Sequence, residues 1–198
     1  MATPGQSGSA RINLEKAAVL VVDSSGPGQE IIVQIITGFG VKAIHRADSA
    51  KNAVAMLQRH SIDLIIADAQ MDDGDFDGYD FVHWLRRSGM GSSAFTPVIL
   101  TAAHISTTDV ARARDCGSNI VVIKPLSPAN LLQRIIWVAR EQRMFVETAS
   151  YVGPDRRFRN EGPPAGMKGR RAGDAAAADQ PKTKDELGDP GRPQKAPT

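Results

Sequence analysis

An α/β protein with a five-stranded parallel sheet and helices on both faces is the fold class this sequence predicts. Three observations lead there. Five short runs rich in Val, Ile and Leu lack polar alternation, the pattern of strands buried on both faces. Longer amphipathic stretches separate them, giving each strand pair a crossover long enough for parallel pairing. The alternation is confined to residues 14–143, the size of one domain, with polar sequence on either side.

The elements follow in order. "AAVLVVD" (17–23) is a continuous apolar strand that ends on an acid. "PGQEIIVQIITGFG" is a helix with Pro27 in its first turn and Gly38 or Gly40 at its stop. "VKAIHRA" is the second strand, and "SAKNAVAMLQRH" a helix with Ser49 or Asp48 as N-cap. "DLIIAD" is the third strand. "GYDFVHWLRRS" is a helix that sets Phe81, Trp84 and Leu85 on one face, read as core. "PVILTA" is the fourth strand, followed by a weakly patterned helix, "STTDVARARDCG", that ends at Gly117. "NIVVIK" is the fifth. The last helix is "SPANLLQRIIWVAREQRMF", with Ser127 as N-cap and Pro128 at its first position.

Bulk properties narrow the function classes. The formal net charge of +2 over 198 residues is too slight to mark a nucleic-acid protein by itself. Cys116 is the single cysteine, which rules out an internal disulfide and a cysteine-only zinc site and points to a reducing, cytoplasmic setting. The first residues lack the apolar core of a secretory leader, and no run is long enough to span a bilayer, so a soluble protein without membrane contact is expected. Residues 1–13 read as a disordered lead. Residues 144–198, rich in Gly, Pro, Ala and charge, read as a disordered basic tail.

In an open parallel sheet the ligand site lies beyond the carboxyl ends of the strands. Here those ends carry Asp23, Asp68, Thr101 and Lys124. Two close carboxylates repel unless a cation or proton lies between them. Hard oxygen donors favour magnesium. A lysine and a hydroxyl facing that position suit an incoming phosphoryl group, with one carboxylate as nucleophile forming an acyl phosphate.

In "VLVVD", "DLIIADAQM" followed by "DG", "PVILTA" and "DCGSNIVVIKP" the chain resembles the receiver domain of bacterial two-component response regulators over about residues 16–142. The resemblance implies a (βα)5 flavodoxin-like fold and a stand-alone, CheY-like phosphoacceptor rather than an enzyme. It further implies Asp68 as phosphoacceptor, Thr101 as switch hydroxyl and Lys124, before Pro125, as the phosphoryl contact. Magnesium would be held by Asp23, Asp68 and the backbone carbonyl of Gln70. The phosphoryl source would be a sensor histidine kinase or histidine phosphotransfer protein, and the output a protein–protein interaction with a downstream target.

Three departures from the family pattern accompany the resemblance. Ser24 stands where a second acid directly binds magnesium, so weak metal binding is expected. Val121 stands where a switch aromatic precedes the lysine by three residues. The loop after Asp68 is about two residues longer than usual and acidic. "DAQMDDGDFDG" (68–78) is not a calcium loop, since the twelfth position counted from Asp73 is Trp84 rather than Glu. Asp72, Asp73 and Asp75 read as a solvated surface, with Asp72 or Asp73 bending back to replace the carboxylate missing at Ser24 as the sharper alternative. Ser24 also supports a second function class, a degenerate receiver acting as a phosphorylation-independent interaction module.

The remaining candidates are bland. His45, His60, His83 and His104 show no metal-ligand spacing, and Cys116 has no nucleophilic partner in sequence. Residues 14–140 carry 12 basic and 13 acidic side chains, so the excess positive charge lies in the tail. There Arg156, Arg157, Arg159, Lys168, Arg170 and Arg171 surround Tyr151 and Phe158, a pattern suited to docking on an acidic protein surface, with nucleic acid the less favoured target.

Overall fold

The computed structural model describes residues 13–71, 76–140 and 143–156. Strands β1 (Ala18–Val22), β2 (Ala43–Ala47), β3 (Leu64–Asp68), β4 (Val98–Ala102) and β5 (Ile120–Ile123) form one parallel sheet in the order β2-β1-β3-β4-β5. The crossovers are helices α1 (Gly26–Gly38), α2 (Ala50–Arg59), α3 (Gly78–Arg87) and α4 (Thr107–Asp115), and α5 (Pro128–Arg140) follows β5. Strand order reverses direction at β1, which opens the crevice between β1 and β3 at their carboxyl ends.

Side chains alternate along each strand, so one apolar run feeds two cores. Leu20, Val22, Ile65 and Leu100 pack with α2 and α3 through Leu57, Phe81 and Leu85. Val19, Val21, Ile66 and Ile99 pack on the other face with Ile32 and Ile36 of α1 and Leu131 and Ile135 of α5. Both faces of β3 and β4 are buried throughout. This is why the sequence shows continuous apolar runs rather than alternation.

The helix ends follow their local chemistry. Ser25 and Ser49 accept hydrogen bonds from the first turns of α1 and α2, and the Ser127 hydroxyl accepts one from Asn130 N–H at 3.2 Å. Asp77 and Asp80 form a reciprocal capping box on α3, and Ser106 and Asp109 do the same on α4. α4 buries none of its residues, consistent with its weak apolar pattern.

The structure departs from the sequence reading at three places. Trp84, assigned to the core with Phe81 and Leu85, is 38% exposed, because it sits at the edge of the α3 stripe that Phe81 and Leu85 centre. The last helix ends as α5 at Arg140, within the described residues, and Phe145 belongs to a strand instead. Residues assigned to a disordered tail form an antiparallel hairpin of β6 (Phe145–Glu147) and β7 (Val152–Pro154). The hairpin has little aliphatic content, and its anchor is a buried cation rather than an apolar face. Residues 72–75 and 157–198 lie outside the described residues, and with them the expectations for Asp72, Asp73, Asp75 and the basic residues beyond Arg156.

That cation is Arg86, 4% exposed near the C-terminus of α3. Its guanidinium donates to the carbonyls of Gly117 (3.0 Å), Ala94 (2.7 Å) and Thr96 (2.8 Å), and it lies 5.1 Å from the centre of the Phe145 ring. Burial lowers its pKa to about 10, so the carbonyl cage and the aromatic face hold a charge that would otherwise be costly. Phe145 also meets Phe95 edge-on, with ring centres 5.0 Å apart. Gly117 has φ +91°, and a Cβ there would lie 2.4 Å from the Val152 carbonyl oxygen, so the hairpin seats directly on a position that only glycine fits.

The hairpin is therefore expected to belong to the folding unit. A chain ending at Arg143 should unfold at lower urea than one ending at Arg156. Gly117→Ala should cost roughly 2–4 kcal/mol in the longer chain, combining left-handed backbone strain with overpacking. In the shorter chain the clash with Val152 is gone, leaving the backbone strain of about 1–2 kcal/mol and a 3.0 Å approach to Arg86 Cγ, so the cost should be smaller. Equal midpoints for the two parent chains would show that the hairpin adds nothing.

Candidate functional site

The carboxyl ends of β1, β3, β4 and β5 bring four side chains into one crevice. Asp23 follows β1 directly and is 1% exposed, while Asp68 closes β3 and is 7% exposed. Parallel pairing sets Asp68 beside Thr101, which is fully buried. Lys124 follows β5, its backbone N–H bonded to Ala102 O at 2.7 Å, and the Lys124–Pro125 peptide is cis. All four strand-end residues singled out in the sequence converge.

Lys124 is the centre of the electrostatics. Its ammonium lies 3.0 Å from Asp68 Oδ2 and 3.3 Å from Asp23 Oδ2. One cation thus faces two nearly buried carboxylates, leaving the trio with a net charge of −1. The lysine side chain keeps 28% of its surface exposed, so this ion cluster has one edge open to solvent. The remaining carboxylate oxygens are engaged by backbone. Asp23 Oδ1 accepts from Ser25 N–H at 2.8 Å, and Asp68 Oδ1 accepts a long 3.5 Å bond from Gln70 N–H. The weakly held Oδ1 of Asp68 is the less committed oxygen of the pair. The Thr101 hydroxyl donates to Ala67 O at 3.4 Å, also a long bond.

α3 begins on the backbone of Asp68. Gly78 N–H donates to Ala69 O at 3.1 Å, and a Cβ on Gly78 would fall 2.0 Å from the Asp68 carbonyl oxygen. Only glycine permits this approach. The "DG" pair read from the sequence therefore has a double role: Asp77 caps the helix, and Gly78 lets the helix rest on the strand end.

Sequence reading missed one group beside the crevice. Arg112 of α4 reaches Asp77 through both guanidinium nitrogens, at 2.6 and 2.9 Å, and Asp80 at 3.1 Å. Its signal was hidden in the repetitive "ARAR" of a helix with no apolar face. Sequence spacing also gave no hint that His45 and His60 stack, with ring centres 4.2 Å apart. Burial, and secondarily His60, lower the pKa of His45. Among the described residues, no three His, Cys, Asp or Glu side chains gather as a metal site.

The donor set at the crevice suits a partly hydrated magnesium ion. Asp23 and Asp68 are close enough to share one ammonium, and Gln70 lies on the exposed turn two residues beyond Asp68. Ser24 contributes no carboxylate to it. No helix among the described residues is long and apolar enough to cross a membrane.

Comparisons with known proteins agree with this fold. The family model described as response regulator receiver domain matches residues 19–136. The phosphate regulon transcriptional regulatory protein PhoB of Escherichia coli is 29% identical over 122 residues, covering 62% of this chain and 51% of that protein. The transcriptional regulatory protein PdtaR of Mycobacterium tuberculosis is 26% identical over 117 residues, 59% of this chain and 54% of that one. The chain thus spans about half the length of the regulatory proteins it matches. Among solved structures, the chemotaxis protein CheY4 of Vibrio cholerae superposes with a TM-score of 0.55 at 26% identity, over 62% of this chain and 98% of that one. With a family match over more than half its length and the strand-end crevice in place, this chain belongs to the response regulator receiver domain family.

Proposed function

We propose that this protein is a phosphoacceptor of two-component signalling that takes a phosphoryl group on Asp68 and passes the signal on through protein–protein contact. The observation that carries the reading is the Lys124 ammonium held between Asp68 and Asp23 at the open end of the sheet.

In the proposed reaction a carboxylate oxygen of Asp68 attacks the phosphorus of a phosphohistidine on a sensor kinase or phosphotransfer protein. The new O–P bond forms as the N–P bond breaks, and the imidazole leaves with the electron pair. Lys124 trades its contact with Asp68 for one with the phosphoryl oxygens and stays close to Asp23, so it never leaves a carboxylate field. The Thr101 hydroxyl gives up its long bond to Ala67 for a phosphoryl oxygen. Asp23, Asp68 and the Gln70 carbonyl would hold magnesium, which supplies charge neutralisation at the transferring group. Self-catalysed transfer and hydrolysis are the only chemistry this reading needs, so the protein is a substrate of its kinase rather than an enzyme. Action as a single-domain regulator is part of the same proposal.

A second reading has a specific observation behind it. Ser24 removes one carboxylate, and Lys124 already neutralises much of what remains. A pocket so balanced can persist without metal or phosphate, as a phosphorylation-independent interaction module requires.

Incubation with a small phosphodonor and magnesium should add one phosphoryl mass to the wild-type chain and none to Asp68→Asn. An adduct of equal yield in the variant would remove Asp68 from the reading. Ser24→Asp should tighten magnesium binding by about tenfold or more, since a hard, strongly hydrated ion gains a direct carboxylate. A titration showing equal affinity would mean that another ligand already fills the place.

A further inference from the structure

We infer that Arg112 is a positioning residue for the Asp68 site, holding the start of α3 against Asp68 so that occupation of Asp68 is felt at α4. The inference rests on the phosphoacceptor reading and adds to it a route by which the site is coupled to the surface.

The route is a continuous set of contacts. Gly78 presses on the Asp68 carbonyl and bonds to Ala69, so a shift of the Asp68–Gln70 backbone moves the first residue of α3. Asp77 and Asp80 flank that residue and cap the helix: Asp77 Oδ1 accepts from Tyr79 N–H at 3.0 Å and Asp80 N–H at 3.1 Å, and Asp80 Oδ2 accepts from Asp77 N–H at 3.4 Å. Because the same carboxylates serve as cap and as anion for Arg112, they cannot turn away from one role without disturbing the other. Arg112 completes the chain with a two-pronged grip on Asp77 and a third bond to Asp80. Its guanidinium also lies 4.9 Å from the centre of the buried Tyr79 ring. Hydrogen bonding to Asp77 foremost raises the Arg112 pKa, so the guanidinium stays charged.

α4 packs little of its own length against the core. No residue of Thr107–Asp115 is buried, and Val110 is 57% exposed. The core contacts of α4 are the partly buried Ala113 and, just outside the helix, the partly buried Ile105 and the buried cap residue Cys116. An element with so little packing sits at the low end of local stability and responds to small changes at its anchors. A route from Thr101 through an aromatic before Lys124 is closed here, because that position is Val121. The Arg112 clamp supplies a polar route in its place.

The test is hydrogen exchange of the full chain with and without beryllium trifluoride and magnesium, in wild type, Arg112→Met and Arg112→Lys. In wild type the analogue should slow exchange at Asp68–Gln70 and slow the α4 amides by about fivefold or more, the lower range for coupled sites. Arg112→Met should keep the first response and lose the second. Arg112→Lys keeps the charge without the fork and should retain part of the α4 response. An equal α4 response in Arg112→Met, or none in wild type despite slowing at Asp68–Gln70, overturns the coupling and leaves Asp68 as phosphoacceptor. No response at Asp68–Gln70 in any form overturns both.

Discussion

Two carboxylates brought together by adjacent parallel strands need a counter-charge, and in this protein Lys124 supplies it. Asp23 and Asp68 are nearly buried, so their repulsion is poorly screened and each would be costly alone. Lys124 stands at the end of β5, two strands away from Asp68, and its side chain spans the end of β4 to reach both acids. The ion cluster therefore ties together three strands of the sheet at their carboxyl ends. Its one open edge, on the lysine side, is also where an anionic group can enter. The same contacts that make the crevice tolerable in the resting fold are those a phosphoryl group would take over.

The opposite end of the sheet is closed by a different device. Arg86 is buried without a carboxylate partner among the described residues, and three backbone carbonyls, the Asn119 amide oxygen and an aromatic ring satisfy it. Those groups come from the turn Gly91–Phe95 and the residue after it, the loop before β5 and the β6–β7 hairpin, so one guanidinium on α3 gathers segments distant in sequence. α3 thus has a fixed end at Arg86 and a charged, partly exposed end at Asp77 and Asp80. Motion at the crevice is expected to be expressed at the second end, where Arg112 ties α4 to α3 and the core contacts of α4 are confined to Ala113 and its flanking residues.

The sheet and the four crevice residues were legible in the sequence because strand burial writes itself as unbroken aliphatic runs. Asp23, Asp68, Thr101 and Lys124 sit at the ends of such runs, where topology alone brings them together. The hairpin was not legible. Its strands have three residues each, and its anchor, Arg86, sits in a helix pattern where an arginine normally signals a solvated face. Trp84 was misplaced for the converse reason, as an aromatic at helical spacing that lands on the edge of its stripe. Arg112 escaped notice because ion pairs between helices leave no periodic trace: its partners are 35 and 32 residues away. Apolar periodicity reports burial, and it is silent about polar contacts made across the chain.

Phosphoacceptance at Asp68 requires a covalent bond at one atom pair, and chemical trapping addresses that bond directly. An aspartyl phosphate is an acyl phosphate, and borohydride reduces it to a primary alcohol, converting the residue to homoserine. After phosphotransfer from a sensor kinase or small donor, reduction and peptide mapping should place homoserine at position 68 and at no other acid. Homoserine at Asp23, Asp77 or elsewhere, or none after demonstrated exposure to an active donor, would contradict the assignment of this crevice as a phosphoacceptor site.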